Sequence, residues 1–294
     1  MVEMQLICIL ILLIFSFCVQ GAKAEPVPQI KGNWNLILNE EFNNFDLNHW
    51  SAGLFNKSLR LGDSKCFYLP KNVKVEKGKL EIYAREDKLK RKDKHGKKRK
   101  ANYSCGAVHS FGKFAQRYGY FEARVKLPKA EGLWPAFWLL PDRSSEGIDL
   151  TTPRLRSTFW ETGPHRKGFI TGKGMEIDIF EHLTEWGAGE YHLAAHWDGT
   201  KDKHQKFSKR YSEGESTKKG FRNIGLYWEP GLLVWYIDGK EMGNFKNDRV
   251  ADVPMFVLLT MQMGGWATDD IEDEKLPDKM LVDHLRIWSG KRVL

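Results

Sequence analysis

The 294-residue sequence lacks the features that define several other classes of protein. It has no glycine-rich phosphate-binding loop and no cluster of metal ligands, so the sequence implies no cofactor for catalysis. It also has no convincing amphipathic helix, internal repeat or linker, which argues against a helical bundle, a solenoid or an appended binding module. Cysteine is scarce, with four residues in the chain. One β-rich domain is therefore the expected organisation.

The long apolar run of this sequence lies near its N-terminus. Residues 6–19 are almost entirely apolar, and an A-x-A ending follows at 22–24. This pattern is typical of a secretory signal peptide, and the run is short for a membrane span. Glu3 precedes it and no Lys or Arg does, so a retained anchor is the alternative. We expect residues 1–24 to be cleaved, leaving a secreted or periplasmic mature chain (25–294) with no membrane span.

Two cysteines, Cys66 and Cys105, remain after that cleavage. In an oxidising compartment they could form one disulfide. Two free thiols buried in a core are equally compatible with the sequence.

Positive charge is concentrated in residues 88–100, which hold nine Lys or Arg and a single acid. Such a segment cannot be a buried strand, and we expect an exposed hairpin loop. It is either a solvated loop or a patch for an anionic polymer. Because no aromatic residue interrupts the cations, the segment cannot stack bases, and we expect no nucleic-acid partner.

Three acids lie within the six residues Glu176-Ile-Asp178-Ile-Phe-Glu181. The apolar spacers predict a strand with one buried face. Side chains on a flat strand alternate, so Glu176 and Asp178 share one face and Glu181 lies on the other. A β-bulge between Asp178 and Glu181 would return Glu181 to the face of the other two, and bulges are common next to active sites.

Two glutamates on one face suit glycoside hydrolysis with retention, which needs one carboxylate as nucleophile and one carboxylic acid as acid/base. Asp178 between them would hold a proton or a hydrogen bond and keep the two glutamates in different protonation states. The alternative is a solvated acidic strand or part of a calcium site. Calcium loops favour flexible Asp, Asn and Gly spacing over a strand rich in isoleucine.

The acidic segment resembles the E-x-D-x-x-E signature of glycoside hydrolase family 16, in the bulged branch that holds laminarinases, β-agarases, κ-carrageenases and porphyranases. The resemblance extends from about residue 34 to 288. It implies an all-β fold, a β-jelly-roll sandwich of two antiparallel sheets with an open substrate cleft. It also implies Glu176 as nucleophile, Glu181 as acid/base and Asp178 as the assisting residue.

The same resemblance suggests substrate-binding residues. The segment Gly132-Leu-Trp-Pro-Ala-Phe-Trp-Leu-Leu-Pro141 is similar to the family segment whose tryptophans lie along the groove. A histidine on the strand after the catalytic one is expected near the acid/base. Core packing is the alternative for each of these residues. The candidates are Trp134, Trp138, Trp186, His196 and Trp266.

A structural calcium site is the other feature that the resemblance implies. Glu41 and Asp283 match the positions that often contribute to it in the family, with a surface acid as the alternative. Residues 142–173 depart most from the family pattern, and we expect them to form a wall of the cleft.

The expected function is hydrolysis of internal β-linkages in a polysaccharide by a secreted, monomeric, retaining endo-glycosidase. A β-1,3-glucan of the laminarin type is the first choice of substrate. A marine galactan (agar, porphyran or carrageenan) is the alternative, which the positive charge favours. A non-catalytic glycan-binding protein on the same fold is the remaining alternative, and the presence of both glutamates argues against it.

Overall fold

The computed structural model describes residues 26–93, 95–142, 174–198, 204–213 and 220–293. Within these ranges it contains seventeen β-strands, numbered here in chain order, and short 3-10 helices. The expected signal peptide and residues 143–173 of the expected cleft wall lie outside the described residues. In the described part of the chain, no helix has the length and apolarity that a membrane crossing requires.

Ten strands form the first sheet. Its order is β15-β14-β13-β8-β17-β5-β6-β3, with β1 paired to β17 and β4 paired to β5. The strands are β1 (Gly32–Glu40), β3 (Cys66–Tyr68), β4 (Val73–Glu76), β5 (Lys79–Lys92), β6 (Lys98–Cys105), β8 (Gly119–Lys126), β13 (Arg222–Glu229), β14 (Leu232–Ile237), β15 (Lys240–Lys246) and β17 (Asp278–Arg292).

Seven strands form the second sheet, in the order β12-β11-β10-β9-β16-β7-β2. They are β2 (Ser51–Ala52), β7 (Ala107–His109), β9 (Leu133–Pro141), β10 (Glu176–Glu181), β11 (Glu190–Trp197), β12 (Gln205–Ser212) and β16 (Met255–Met263). The 3-10 helices of the described residues are Pro70–Asn72, Thr184–Trp186 and Asp273–Lys275. The strand pairs are antiparallel, as expected, except for the parallel pair of β3 with β6.

The apolar core lies between the sheets and follows from the alternation of side chains along each strand. On β8, Phe121, Ala123 and Val125 are fully buried. On β10, Ile177 and Phe180 are buried in the same core. The opposite face of β10 is therefore free to present its acids to a cleft. Burial of each large apolar side chain stabilises the fold by about 1.5–3 kcal/mol.

Two features that the sequence left open or mispredicted belong to the β5–β6 region. Cys66 and Cys105 are joined in a disulfide that links β3 to β6. Residues 88–93 and 95–100 are mostly exposed and belong to a hairpin, as expected, but the prediction that they form a loop is wrong. Most of them extend β5 and β6 as paired strands, because solvated side chains on both faces do not prevent backbone pairing.

Candidate active site

The predicted bulge is present on β10. Opposite β11, Asp178 pairs with Ala194 and Glu181 pairs with His192, so three steps on β10 oppose two on β11. The register also shifts against β9, between Asp178 and Phe180. The extra residue returns Glu181 to the face of the other two acids, as the spacing predicted.

Glu176, Asp178 and Glu181 line one cleft of about 600 Å³ on the outer face of the seven-stranded sheet. All three are largely withdrawn from solvent, with exposures of 9, 4 and 9% respectively. Strands β9, β10, β11 and β16 form the floor, and residues 61–63 with 265–266 contribute to the walls. The structure therefore brings the three predicted acids together in a concave site.

Glu181 is held at both of its carboxylate oxygens. Trp134 Nε1 donates a hydrogen bond to Oε1 at 3.1 Å. His192 Nδ1 lies 2.9 Å from Oε2. These two contacts fix the direction in which the carboxyl group faces the cleft. His192 and His196 lie on the same face of β11 because side chains alternate along a strand, and the sequence prediction named only His196 as the neighbour of the acid/base.

His196 lies opposite Glu176 in the pairing of β10 with β11, and its Nε2 lies 3.5 Å from Asp178 Oδ2. Its other ring nitrogen, Nδ1, lies 3.0 Å from His204 Nε2. The two imidazole rings are stacked, with centroids 5.1 Å apart and an interplanar angle of 7°. His196 is therefore a cleft residue as predicted, and His204 is a neighbour that the sequence did not reveal.

Asp178 lies between two carboxylates and has little access to water. Burial raises its pKa well above the ordinary value, and the negative charges of Glu181 and Glu176 raise that pKa further. Asp178 thus binds a proton more readily than a solvated aspartate does. A protonated Asp178 can donate a hydrogen bond to a neighbouring carboxylate and favour the ionised form of that neighbour.

The backbone of the bulge is also anchored. Trp235, a buried residue of β14 in the opposite sheet, donates from Nε1 to the carbonyl oxygen of Asp178 at 2.9 Å. This bond ties the backbone at the start of the bulge to the opposite sheet. The core thus holds β10 from the side opposite the cleft.

Aromatic rings gather at the rim of the cleft around Trp266, which is 45% exposed. The rings of Trp134 and Trp186 meet it edge to face, with centroids 5.2 and 5.3 Å away. His192 contacts the same ring at 4.8 Å. Trp266 and Trp134 line the cleft, as predicted. Trp186 supports Trp266 from behind and carries the guanidinium of Arg210 over its own ring at 4.2 Å.

Trp138, the other predicted tryptophan, is buried in the floor of the cleft and donates from Nε1 to Thr260 Oγ1 at 3.2 Å. Gln262 lies with Thr260 on β16 and accepts a hydrogen bond from the Tyr68 hydroxyl at 3.3 Å. Thr260, Gln262 and Lys206 add polar groups to the cleft lining. Sequence reasoning missed these three because nothing in their local pattern distinguishes them from ordinary strand residues.

The two residues that the resemblance implied as calcium ligands, Glu41 and Asp283, are both paired with basic side chains. Glu41 Oε1 accepts a hydrogen bond from Arg286 Nε at 3.1 Å. Asp283 pairs with Arg124 at 2.9 Å and with Lys79 at 3.1 Å. Each carboxylate is thus already neutralised by a basic side chain. These residues do not fit a calcium site.

Glu40, Asp46 and His49 form a separate group in which one ligand atom from each residue lies within 4.8 Å of the others. Both oxygens of Glu40 already accept hydrogen bonds, from the Phe42 backbone N–H and from Trp50 Nε1, each at 2.9 Å. These two donors replace the water that the buried carboxylate of Glu40 would otherwise bind. Glu40 therefore has a structural role in the turn after β1.

The chain resembles known proteins over most of its length. Residues 34–289 match a sequence family described as β-porphyranase A–D, GH16 domain. The glucan endo-1,3-β-glucosidase A1 of Niallia circulans is 26% identical over 89% of this chain and 39% of its own length. The β-glucanase of Rhodothermus marinus is 23% identical over 87% of this chain and 85% of its own length. This chain thus spans about two fifths of the first relative and most of the second.

Solved structures show the same fold. The laminarinase catalytic domain from Thermotoga maritima MSB8 is 24% identical, has a TM-score of 0.66, and is matched over 88% of this chain and 100% of its own. LamAcat from Zobellia galactanivorans is 23% identical, has a TM-score of 0.67, and is matched over 86% of this chain and 97% of its own. The family match includes the bulged strand and its three acids. The chain belongs to glycoside hydrolase family 16.

Proposed function

We propose that this protein is a retaining endo-glycosidase that hydrolyses internal β-linkages of a polysaccharide, with β-1,3-glucan as the first substrate class. The observation that carries the proposal is the row of Glu176, Asp178 and Glu181 on one face of a bulged strand, inside a cleft with tryptophans at its rim. Relatives named as glucan endo-1,3-β-glucosidases support the choice of substrate.

In the first step, Glu181 gives its proton to the glycosidic oxygen while the Glu176 carboxylate attacks the anomeric carbon. The bond to the leaving sugar breaks and a covalent glycosyl ester forms on Glu176. In the second step, Glu181 removes a proton from water, and the resulting nucleophile displaces Glu176 from the anomeric carbon. Asp178 assists by holding a proton beside the glutamates, and Trp134 with His192 keeps Glu181 aligned.

A galactan is the second candidate substrate. The family that matches the chain is described as β-porphyranase A–D. A keratan-sulfate endo-1,4-β-galactosidase of Sphingobacterium multivorum is 23% identical over 64% of this chain. The basic segment at 88–100 also suits a sulfated polymer better than a neutral one.

The two substrate classes are separated by a reducing-end assay on laminarin, agarose, porphyran and κ-carrageenan, with Glu176→Gln as the inactive control. Release of oligosaccharides from laminarin supports the first candidate, and release from a galactan supports the second. Long products early in the reaction support endo action. If the wild-type protein releases no more reducing ends than the control on any polymer, the proposed function is wrong.

The same proposal includes the compartment, the oligomeric state and the cofactor requirement of the enzyme. Secretion or export to the periplasm is supported by the apolar run with its A-x-A ending and by the Cys66–Cys105 disulfide, which forms in oxidising compartments. We propose a monomer that needs no cofactor for catalysis. Because basic side chains neutralise Glu41 and Asp283, we propose no calcium ion there.

A further inference from the structure

The outer part of the β5–β6 hairpin, residues 88–100, has a charge that the catalytic site does not explain. With nine Lys or Arg and one acid, it accounts for the full formal net charge of +8. The remainder of the chain is therefore balanced between acids and bases. All of the excess positive charge of the chain therefore lies in one hairpin.

The pairing of the two strands places like charges directly opposite one another. Like-charged residues in directly opposite positions of an antiparallel pair destabilise it. All six side chains involved are exposed to solvent. Stability of the hairpin therefore does not explain the cations. The pairs are Lys90 with Lys100, Arg91 with Arg99, and Lys92 with Lys98.

The single acid of the segment, Asp93, is occupied at the tip of the hairpin. Its Oδ1 accepts hydrogen bonds from the backbone N–H groups of His95 and Lys97, each at 3.0 Å. Its Oδ2 accepts from Arg99 Nε at 2.8 Å. Asp93 thus shapes the turn and neutralises one arginine, and it leaves the row of lysines along the strands positively charged.

The hairpin is joined to the cleft through Arg60. Arg60 Nη2 donates to the carbonyl oxygen of Lys100 at 2.7 Å, and its guanidinium lies over the Phe67 ring at 4.8 Å. Partial burial lowers the pKa of Arg60, and the nearby charge of Arg99 lowers that pKa further. The residues that follow directly, 61–63, line the cleft. Positive charge therefore continues from the hairpin to Arg60, the residue directly before this part of the cleft wall.

We propose that the outer β5–β6 hairpin, with Arg60, is a docking surface for an anionic polysaccharide, sulfated or carboxylated, that runs beside the catalytic cleft. The proposal rests on the proposed function, because continuity with a polysaccharide cleft selects the class of partner. Nucleic acid is disfavoured because residues 88–100 contain no Phe, Tyr or Trp on which bases could stack. A membrane surface is disfavoured because their one large apolar residue, Leu89, is half-buried.

The test compares binding to dextran sulfate and to neutral dextran by isothermal titration calorimetry, since neither polymer has the β-linkages that the enzyme would cut. The hairpin variant changes four lysines of the hairpin to glutamine. The control variant changes four exposed lysines outside the hairpin, so that both lose the same charge. The hairpin variant is Lys90→Gln, Lys92→Gln, Lys98→Gln and Lys100→Gln, and the control is Lys31→Gln, Lys240→Gln, Lys246→Gln and Lys291→Gln.

The wild-type protein should bind dextran sulfate and not dextran. At about 0.15 M salt the hairpin variant should bind about tenfold more weakly or worse, and the control should stay within about twofold. Removing opposed charges should leave the melting temperature unchanged or higher, which excludes misfolding as the cause. Equal losses in both variants would overturn the proposal. Tighter binding to single-stranded DNA, or to vesicles of phosphatidylcholine with phosphatidylserine, would overturn it as well.

Hydrolysis is measured separately on the polysaccharide that the enzyme cuts, so the two proposals can fail independently. If dextran sulfate binds at the hairpin and no polysaccharide is hydrolysed, the proposed function fails alone. If a polysaccharide is hydrolysed and the hairpin variant binds dextran sulfate as well as the wild-type protein does, the docking surface fails alone.

Discussion

The contact of His192 with Glu181 gives the sharpest prediction for catalysis. The His192→Ala variant removes the group that lies 2.9 Å from Glu181 Oε2 and leaves the contact of Trp134 with Oε1 in place. Hydrogen bonds to charged groups contribute about 1.5–3 kcal/mol. Each 1.4 kcal/mol of transition-state stabilisation is a factor of about ten. If the hydrogen bond contributes its whole free energy to stabilising the transition state, kcat/KM on polysaccharide should fall about 10- to 100-fold.

The assay compares the polysaccharide with an activated aryl glycoside of the same sugar. A sugar leaving group needs a proton from Glu181, whereas an activated phenolate leaves with less assistance. The loss on the aryl glycoside should therefore be several times smaller. His192→Asn is the matched control, because its amide can contact Glu181 from nearly the position of Nδ1. This variant should regain part of the lost rate.

A double-mutant cycle with Glu181→Gln tests whether His192 acts through Glu181. In the Glu181→Gln background, His192→Ala should have little further effect on kcat/KM, because the carboxylate that it positions is gone. Fully additive losses, or equal losses on the polysaccharide and the aryl glycoside, would refute the positioning role.

Two further predictions concern stability. Because the folded-state pKa of Asp178 is raised above its unfolded value, the native protein binds more protons than the unfolded chain, and stability falls as pH rises above about 4. Asp178→Asn should therefore melt at a higher temperature than wild type at pH 7, and the difference in melting temperature should be smaller near pH 4. The variant should also lose most of its kcat. An equal difference in melting temperature at both pH values contradicts this reasoning. Replacing Cys66 and Cys105 by Ser opens a link across a sequence separation of 39 and should lower the free energy of unfolding by about 4 kcal/mol in urea titration, whereas a loss below about 1 kcal/mol contradicts the chain-entropy estimate.

The row of acids on β10 could be predicted from sequence because it depends on the spacing of neighbouring residues. The spacing of Glu176, Asp178 and Glu181 requires one inserted residue to bring the acids to one face, and the structure has that bulge. The choice between His192 and His196 could not be made locally. Both lie on one face of β11, and only the register of β11 against β10 decides which of them meets Glu181.

Features that depend on distant partners could not be predicted from the sequence. Arg286, which neutralises Glu41, lies 245 residues further along the chain and approaches through the pairing of β1 with β17. The carbonyl of Asp178 is bound by Trp235 from the opposite sheet, a contact across the core that no alternation pattern shows. Composition predicted the exposure of residues 88–100 correctly. It could not predict their strand pairing, because backbone hydrogen bonds between strands can form whether or not the side chains are solvated.

The central claim, that Glu176 is the nucleophile of a retaining glycosidase, is tested most directly by azide rescue of Glu176→Ala. The variant should lose several orders of magnitude in kcat. Azide can occupy the space of the lost carboxylate and should restore turnover of an activated aryl glycoside. The product should be a glycosyl azide, and NMR should show that its anomeric configuration is inverted relative to the substrate. The result that contradicts the account is an inverted azide from Glu181→Ala and none from Glu176→Ala.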